Sequence, residues 1–296
     1  MAREVEGKRP PQVLNFDICS WNINGVNSKL DDQETYDFLA KNQVIILQET
    51  WLLTPVVLMG YTGYFKEGKK SHILGRPAGG LAIYISVDLE GVSEELSSGI
   101  DSILAVSLSG CIHIKNNRLI LINIYANPKP KEKDITLKAL EVFITKIQDN
   151  DPSTNIILAG DFNLKLIKAR NGGFNRDKEN LIWQVPPLEQ QSLANNKKSD
   201  DTLTCLGGRG LRFLNGRYPA DIPPKATYYS ATAQSVLDYV FLSLPLFQFV
   251  TSFEVKNRVE SDHYSLHLTL KFAYGQQEQS GQLGQTTASN LKRIKW

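Results

Sequence analysis

The sequence predicts an α/β fold in which two β-sheets pack face to face and helices cover the outside. Two observations predict it: many short apolar segments are separated by turn residues, whereas few segments have helical periodicity. The chain has 296 residues, 42% hydrophobic and 22% charged, as in folded globular domains. Many strands with few helices favour a sheet-on-sheet sandwich.

Alternation of apolar and polar residues predicts the strands. It is clearest from Leu14 to Ile18 and from Leu266 to Leu270. The other predicted strands are Val44 to Leu47, Leu81 to Ile85, Ile103 to Leu108, Leu119 to Tyr125, Asn155 to Ala159, Val236 to Leu242 and Val250 to Val255.

Three helices are predicted. Apolar residues recur at three- and four-residue intervals between Lys131 and Gln148, just before the Asp151-Pro152 pair. A second helix is expected from Asp31 to Lys41. A third is expected between Asp201 and Leu214, although glycines in its second half oppose a helix there.

The composition gives no boundary between residues 13 and 273, so one domain is expected there. Residues 1–12 are charged and contain two prolines, and residues 274–296 begin with a stretch rich in Gln, Gly, Ser and Thr; these ends are expected to be tails or linkers. No apolar run reaches the ~18 residues that span a bilayer. The cysteines, Cys19, Cys111 and Cys205, suggest neither a disulfide framework nor a zinc site.

The net charge of +2 is too small to indicate nucleic-acid binding by overall charge. If the substrate is DNA, cations on loops must position it. The candidate cations are Lys66, Lys69, Lys70, Arg76, Lys165, Lys168 and Arg170.

Polar residues that can do chemistry follow the ends of the predicted apolar strands. At such positions side chains leave the sandwich and can converge at one rim. The residues are Asn22, Glu49, Tyr125, Asp161, Asn163, Asp238, Asp262 and His263. Their recurrence at strand ends predicts a site more strongly than any one of them.

Glu49 is the first candidate for a metal ligand, because Mg²⁺ prefers one or two carboxylates with waters and a substrate phosphate. The alternative is a solvent-exposed carboxylate after a buried strand. Asp161 can orient or deprotonate a water, with Asn163 on the same face. The alternative there is a turn whose polar side chains bond local backbone.

His263 can pair with a buried carboxylate that fixes its tautomer, and Asp238 is the expected partner. The alternative is a structural histidine. Tyr125 can donate a hydrogen bond to a phosphate oxygen, or it can simply pack at the end of its strand. For Asn22 the alternative is a local Asn-Gly turn.

Several phrases in the chain resemble the motifs of the endonuclease/exonuclease/phosphatase superfamily. Within it, the chain is most similar to the apurinic-like endonuclease domain of LINE-type, non-LTR retrotransposons. The phrases are WNINGV, LQETWL, GGLAIYIS, INIYA, GDFN, LNGR, ATYYS, SVLDYVFLS and SDHYSL.

The resemblance implies a four-layer α/β sandwich of two mainly antiparallel sheets flanked by helices. It further implies a DNA endonuclease that uses Mg²⁺, with Mn²⁺ as an alternative, and a hairpin over residues 228–237 that contacts the minor groove. A nuclear location and a downstream reverse transcriptase, as in a full-length element, are also expected.

The resemblance also assigns roles by matching position. Glu49, Asn22 and Asp262 would bind the metal, and Asp161 would activate the water. Asn163 and Tyr125 would hold the phosphate, and Asp238 would orient His263. Substrate contacts are assigned to the matched positions Thr227, Ser261 and Asn127.

In one place the chain departs from the family pattern: Asn127 comes two residues after Tyr125 and precedes a proline. Two other functions remain open. One is a phosphatase or lipid phosphodiesterase of the same superfamily, and the other is a non-catalytic relic that binds DNA.

Overall fold

A computed structural model of the protein describes residues 12–70, 75–89, 91–110, 118–166 and 197–274. Apart from Gln12 and Tyr274, the two expected tails lie outside these ranges, as do Cys111, Lys168 and Arg170. No helix in the described ranges is long and apolar enough to cross a membrane.

The described chain forms strands and helices in the following order. They are β1 (Gln12–Asn22), α1 (Asn27–Leu30), α2 (Gln33–Leu39), β2 (Val44–Gln48), β3 (Tyr61–Lys66), β4 (Leu81–Ser86), β5 (Val92–Leu96), β6 (Ile103–Ser109), β7 (Arg118–Tyr125), α3 (Pro130–Asn150), β8 (Asn155–Asp161), α4 (Lys197–Gly208), β9 (Leu211–Phe213), β10 (Tyr228–Tyr229), β11 (Gln234–Ser235), β12 (Asp238–Ser243), β13 (Val250–Lys256) and β14 (Ser265–Tyr274).

Two mixed sheets of six strands each build the sandwich. The first has the order β13-β14-β1-β2-β4-β3 and the second β5-β6-β7-β8-β12-β9. Each sheet has one parallel pair, β1 with β2 and β7 with β8, and its other neighbours are antiparallel. Strands β10 and β11 form a separate hairpin, which confirms the hairpin expected in residues 228–237.

Three apolar clusters separate four layers. Alternate residues of both sheets, such as Phe16 and Leu121, fill the space between the sheets. The opposite face of the second sheet packs against α3 and α4, and that of the first packs against α1 and α2. The two-residue period of a strand thus gives each sheet two apolar faces. The predicted four-layer sandwich is confirmed.

The helix predictions are mostly confirmed. The segment Lys131 to Gln148 lies within α3, and the segment Asp31 to Lys41 contains α2. The third prediction is wrong in its second half: α4 ends at Gly208, and Leu211–Phe213 is strand β9, paired with β12. Gly210, with φ +72°, makes the turn between them, a conformation that an L-residue with a side chain rarely adopts.

The strands missing from the sequence prediction lie mainly at sheet edges. Strand β3 is an edge strand of the first sheet, and β5 and β9 are the two edge strands of the second. Edge strands are often half-solvated, and β5, with the sequence VSEEL, is mostly exposed. Such a strand lacks the apolar alternation on which the prediction depends.

Candidate active site

The inward face of each sheet changes from apolar to polar as the strands approach one rim. In β1, Phe16 and Ile18 belong to the central core, whereas Ser20 and Asn22, two and four residues further, are buried polar residues. The Gln48 amide reaches Ser20 and the Asn123 side chain of the opposite sheet. This polar network joins the sheets directly beneath the rim.

The first parallel pair places Asn22 and Glu49 at this rim. Asn22 ends β1 opposite Gln48, and Glu49 follows immediately. The Nδ2 atom of Asn22 donates to Glu49 Oε1 at 3.1 Å, and Trp51 Nε1 donates to Glu49 Oε2 at 3.3 Å. Glu49 remains partly exposed. Its carboxylate is therefore oriented by two donors and still accessible.

The second parallel pair places Tyr125 and Asp161 opposite each other. Asp161 is fully buried. It accepts hydrogen bonds from the backbone and side chain of Asn163 at 2.8 and 2.9 Å. A side chain at Gly160 would lie 2.1 Å from the Ile124 carbonyl oxygen, so only glycine lets β8 approach β7 just before Asp161.

One amide joins the two parallel pairs. The same Nδ2 atom of Asn22 that bonds Glu49 also donates to Asp161 Oδ2 at 3.0 Å. These residues are 27 and 139 positions apart from Asn22 in the sequence. The predicted convergence of Asn22, Glu49 and Asp161 at one rim is therefore present.

The neighbouring strand β12 contributes Asp238, which lies opposite Asp161 in register. His263 Nδ1 is 2.8 Å from Asp238 Oδ2, so the predicted pair forms. Thr227 Oγ1 donates to the same carboxylate at 2.6 Å and accepts from the backbone N–H of Asp238. Thr227, assigned to substrate binding, thus holds Asp238 in place.

The ring of His263 points its second nitrogen at Asp161. His263 Nε2 lies 4.0 Å from Asp161 Oδ2. Burial lowers the pKa of His263, but the carboxylates of Asp238, Asp161 and Asp262 outweigh it and raise the pKa to about 10. These carboxylates therefore favour the charged imidazolium form of the ring. Its Nε2–H can donate to an anion at the rim.

Burial and the repulsion of Asp238 raise the pKa of Asp161 to about 7. His263 and the donors Asn163 and Asn22 oppose this shift. A carboxyl group that titrates near neutral pH has the basicity of an effective general base. Burial, followed by the charges of Glu49 and Asp161, raises the pKa of Tyr125 above its ordinary value. Tyr125 therefore keeps its hydroxyl proton and can donate it to an oxygen.

The loop before β14 attaches His263 to β1. Ser261 Oγ donates to the Asn22 carbonyl at 2.7 Å and accepts from the His263 N–H at 3.1 Å. Asp262 is exposed and accepts a hydrogen bond from Asn24 Nδ2 at 3.1 Å. Ser261 therefore acts within the protein, and a contribution of Asp262 to a metal site stays a prediction.

Asn127 lies on the loop after β7, where its Oδ1 accepts from the Lys129 N–H at 3.0 Å. This bond forms a local turn just before α3. Its assignment to substrate binding stays a prediction, and the turn provides a structural reason for the asparagine.

The backbone is strained at the rim. The non-glycine residues with positive φ in the described ranges are Asn24, Glu49, Trp51 and Asn163. All four lie in the segments that follow β1, β2 and β8. Such conformations concentrate where function constrains the chain.

The rim fits a hard divalent cation. Asp161, Asp238 and His263 bring potential ligand atoms within 4.8 Å of one another. However, Asp238 is already bonded by His263 and Thr227, and Asp161 by Asn22 and Asn163. The partly exposed Glu49 carboxylate has the oxygen donors that Mg²⁺ prefers. The Asn22 amide faces it through Nδ2, and Asn22 Oδ1, a second oxygen donor, accepts from the Asn24 N–H at 3.2 Å.

Some residues at the rim could not be found from the sequence. Trp21 Nε1 donates to the His263 carbonyl at 2.9 Å, and Trp51 Nε1 bonds Glu49. Lys133 of α3 donates to the Asn163 carbonyl at 2.6 Å. The only signal for Trp51 was its position two residues after Glu49, and the other two have none.

The loop cations have different surroundings. Lys66 pairs with Glu95 at 2.7 Å and Lys69 with Asp101 at 2.7 Å, whereas Lys70 and Lys165 are exposed. The Arg76 guanidinium stacks over Trp51, 3.5 Å from the ring centroid. Arg76 is the cation of this group that contacts a neighbour of Glu49.

The sequence matches the Endonuclease/Exonuclease/phosphatase family over residues 19–263. No curated protein sequence matches it significantly.

Solved structures share the fold at low sequence identity. An AP endonuclease, LMAP, from Leishmania major is 15% identical, with a TM-score of 0.65 over 88% of each chain. The endonuclease domain of TRAS1, a telomere-specific non-LTR retrotransposon, is 14% identical, with a TM-score of 0.57 over 87% of this chain and 98% of that domain. A 3′ phosphatase, NExo, from Neisseria, bound to a product DNA hairpin, is 18% identical, with a TM-score of 0.59 over 86% and 99%.

The four-layer sandwich gathers carboxylates and a histidine at one rim. The chain belongs to the Endonuclease/Exonuclease/phosphatase family, and by class it is a hydrolase of phosphate esters. The expected resemblance to retrotransposon endonucleases is confirmed in the fold it shares with the TRAS1 domain.

Proposed function

We propose that this protein is a Mg²⁺-dependent DNA endonuclease that nicks one strand by water attack on a phosphodiester, as in retrotransposon target nicking. The observation that supports it most is the Asn22 amide, which bonds both Glu49 and Asp161. It brings an accessible metal-binding carboxylate beside a buried base. The DNA-bound state of the Neisseria neighbour supports the choice of substrate.

Glu49 and Asn22 would hold the ion, which neutralises charge on the phosphate when bound. Asp161 takes a proton from the attacking water, for which its raised pKa suits it. The water oxygen forms the new bond to phosphorus while one ester P–O bond breaks, and the departing sugar oxygen takes up a proton from solvent to leave as a hydroxyl group. The imidazolium of His263 and the hydroxyl of Tyr125 donate to phosphate oxygens as negative charge increases on them.

Asp238 and Thr227 act through His263. Asp238 accepts from Nδ1, so the remaining ring proton lies on Nε2, toward the rim. Thr227 fixes the Asp238 carboxylate in turn. In this proposal both are positioning residues that set the direction of the Nε2–H bond.

The test is relaxation of supercoiled plasmid. Mg²⁺ should support nicking, EDTA should abolish it, and Glu49→Ala and His263→Ala should each lose most of it. Nicking that persists in EDTA would contradict the role of a metal. Full activity in either variant would remove that residue from the mechanism. A wild-type chain that binds the plasmid without nicking it would instead be a relic that only binds DNA.

A phosphatase is the second candidate, because a neighbour of the same fold is a 3′ phosphatase. The two functions separate on defined substrates. An endonuclease cuts closed circular DNA, whereas a 3′ phosphatase releases phosphate only from an oligonucleotide that ends in a 3′-phosphate. Release of phosphate without plasmid nicking would favour the second function. Inositol phosphates and sphingomyelin test the lipid alternative in the same format.

A further inference from the structure

A cation stacked on an aromatic ring lies next to the accessible side of Glu49. The guanidinium of Arg76 is 3.5 Å from the centroid of the Trp51 ring. Arg76 is exposed, and no carboxylate of the described residues forms an ion pair with it. Its charge is therefore available to an external anion, unlike those of Lys66 and Lys69.

The ring beneath Arg76 is fixed. Trp51 has a left-handed backbone with φ +55°. A Cβ atom at Gly25 would lie 2.2 Å from the Trp51 ring, so the ring occupies the space that any other residue at position 25 would need. Gly25 N–H in turn donates to the Glu49 carbonyl at 2.8 Å. The stack of Arg76 on Trp51 is therefore packed against the segment that contains Glu49.

The same indole is bonded to Glu49 through its edge. Trp51 Nε1 donates to Glu49 Oε2 at 3.3 Å, while Asn22 donates to Oε1. One face of the ring therefore supports a cation, and its edge orients the carboxylate expected to bind the ion. A second positive charge lies near: burial first, and the charge of Arg76 as a smaller cause, lower the pKa of Lys29, while Glu260 and Asp262 oppose the shift.

From this arrangement we propose that Arg76, held by Trp51, binds a backbone phosphate of the DNA strand beside the cleaved bond, and that Trp51 positions Glu49 for the metal. The inference rests on the proposed DNA substrate. A stacked guanidinium keeps its N–H edge free for two parallel bonds to a phosphate, and its low hydration favours such contacts. The stack of Arg76 on Trp51 thus connects binding of the DNA strand to Glu49, the proposed metal ligand.

The first experiment measures DNA binding without cleavage. Fluorescence anisotropy with a labelled duplex in EDTA compares the wild-type chain with Arg76→Ala and Lys69→Ala. We expect Arg76→Ala to weaken binding about 5- to 10-fold and to lower the slope of log K against log salt by about 1, the loss of one phosphate contact. Lys69→Ala, which removes an exposed cation paired with Asp101, is the matched control and should have little effect.

Equal binding and equal salt slope for Arg76→Ala and wild type would overturn the role of Arg76. That outcome is distinct from failure of the proposed function, in which the wild-type chain itself neither binds the duplex nor nicks plasmid. An equal loss in Lys69→Ala would also overturn it, because the effect would then follow the net charge.

The second experiment separates the two roles of Trp51. Trp51→Phe keeps an aromatic face for Arg76 and removes the N–H that bonds Glu49. We expect DNA affinity in EDTA to stay within about twofold while Mn²⁺ affinity, measured by electron paramagnetic resonance, falls about 10-fold, as for other groups that orient metal ligands. Unchanged Mn²⁺ affinity, in a variant whose melting temperature matches wild type, would overturn the positioning role.

Discussion

The two parallel strand pairs supply the two halves of the rim, but they present their carboxylates differently. Strands β1 and β2 end in a carboxylate that is partly exposed and held by two N–H donors, Glu49. Strands β7 and β8 end in a fully buried carboxylate, Asp161, whose oxygens accept from Asn22 and Asn163. The same local topology therefore produces one open group and one enclosed group.

The difference arises from what lies beside each pair. Next to β8 is β12, whose Asp238 faces Asp161 and brings His263 with it. Beyond β2 lies β4, preceded by the glycine pair Gly79 and Gly80, whose carbonyls accept from Trp51 and Thr50. Burial first, and the charge of Asp238 second, raise the pKa of Asp161, whereas Glu49 stays partly exposed. An open carboxylate suits a cation and an enclosed one suits proton transfer.

The largest expected effect is that of Asp161→Asn. The amide keeps the shape of the carboxylate but cannot take a proton, so nicking should fall by about 10³-fold, within the range of general-base losses. Plasmid relaxation at saturating Mg²⁺ measures it. The control is Asp221→Asn, another buried carboxylate, which accepts from the backbone N–H groups of Gly216 and Lys225 and should leave nicking intact. Nicking within tenfold of wild type in Asp161→Asn would contradict the enclosed-base assignment.

Glu49→Gln should have the next largest effect and a different character. Loss of one carboxylate ligand should weaken Mg²⁺ binding, with nicking reduced about 10²-fold at 1 mM Mg²⁺, a loss typical of perturbed metal sites. Because the defect is in affinity, higher Mg²⁺ should restore part of the activity. The measurement is activity against Mg²⁺ concentration for Glu49→Gln and Asp161→Asn. If higher Mg²⁺ restored the activity of Asp161→Asn and not that of Glu49→Gln, the metal-binding and proton-transfer roles of the two carboxylates would be exchanged.

Thr227→Val should have an effect of about tenfold on kcat. It removes the 2.6 Å donor to Asp238 with little change in volume, and a lost hydrogen bond to a charged group costs about 1.5–3 kcal/mol. Without this donor Asp238 interacts differently with His263, so the pH profile of kcat should shift, which a purely structural effect would not produce. Thr227→Ser restores the hydroxyl and is the matched control. An unaltered profile in Thr227→Val would argue against positioning through Asp238.

The smallest expected effect concerns acid stability beside the first pair. Burial, with the charges of Lys256 and Arg258, lowers the pKa of His267 on β14 to about 3. In the unfolded chain the His267 side chain binds a proton near pH 6.5. Its contribution to the free energy of unfolding is therefore full above that pH and is lost as the pH falls below it. Since His267 is only half-buried, we expect a loss of about 1–2 kcal/mol between pH 7 and pH 5.

Urea unfolding at both pH values measures this loss, and His267→Gln should reduce it. If the free energy of unfolding depends on pH equally in the variant and in the wild type, the groups responsible lie elsewhere in the protein.

The sequence was sufficient for the central strands and for the convergence of the rim. Strands such as β2 and β8 are apolar on both faces, and a polar residue such as Glu49 follows directly, so the pattern marks both strand and site. The edge strand β5 has no such pattern because solvent covers much of it. The pairing of His263 with Asp238 was expected because both lie beside apolar strands.

The contacts that orient the site residues could not be predicted from the sequence. The Asn22 amide that joins Glu49 and Asp161 depends on the packing distance of two sheets, which no local pattern contains. Thr227 and Ser261 were assigned to substrate by resemblance, whereas their hydroxyls bond Asp238 and Asn22 within the protein. Stacking of Arg76 on Trp51 joins segments 25 residues apart through a loop geometry that alternation does not determine.

The strand order has a consequence for biosynthesis. Strand β1 emerges first from the ribosome, yet one of its neighbours is β14, which emerges last and follows His263. The first sheet therefore stays incomplete until nearly the whole domain has been translated, and pairing over such long sequence separations forms slowly. We expect the nascent domain to be inactive until β14 has left the ribosome. Ribosome-bound chains truncated before residue 250 should fail to nick DNA, and activity in them would contradict this view.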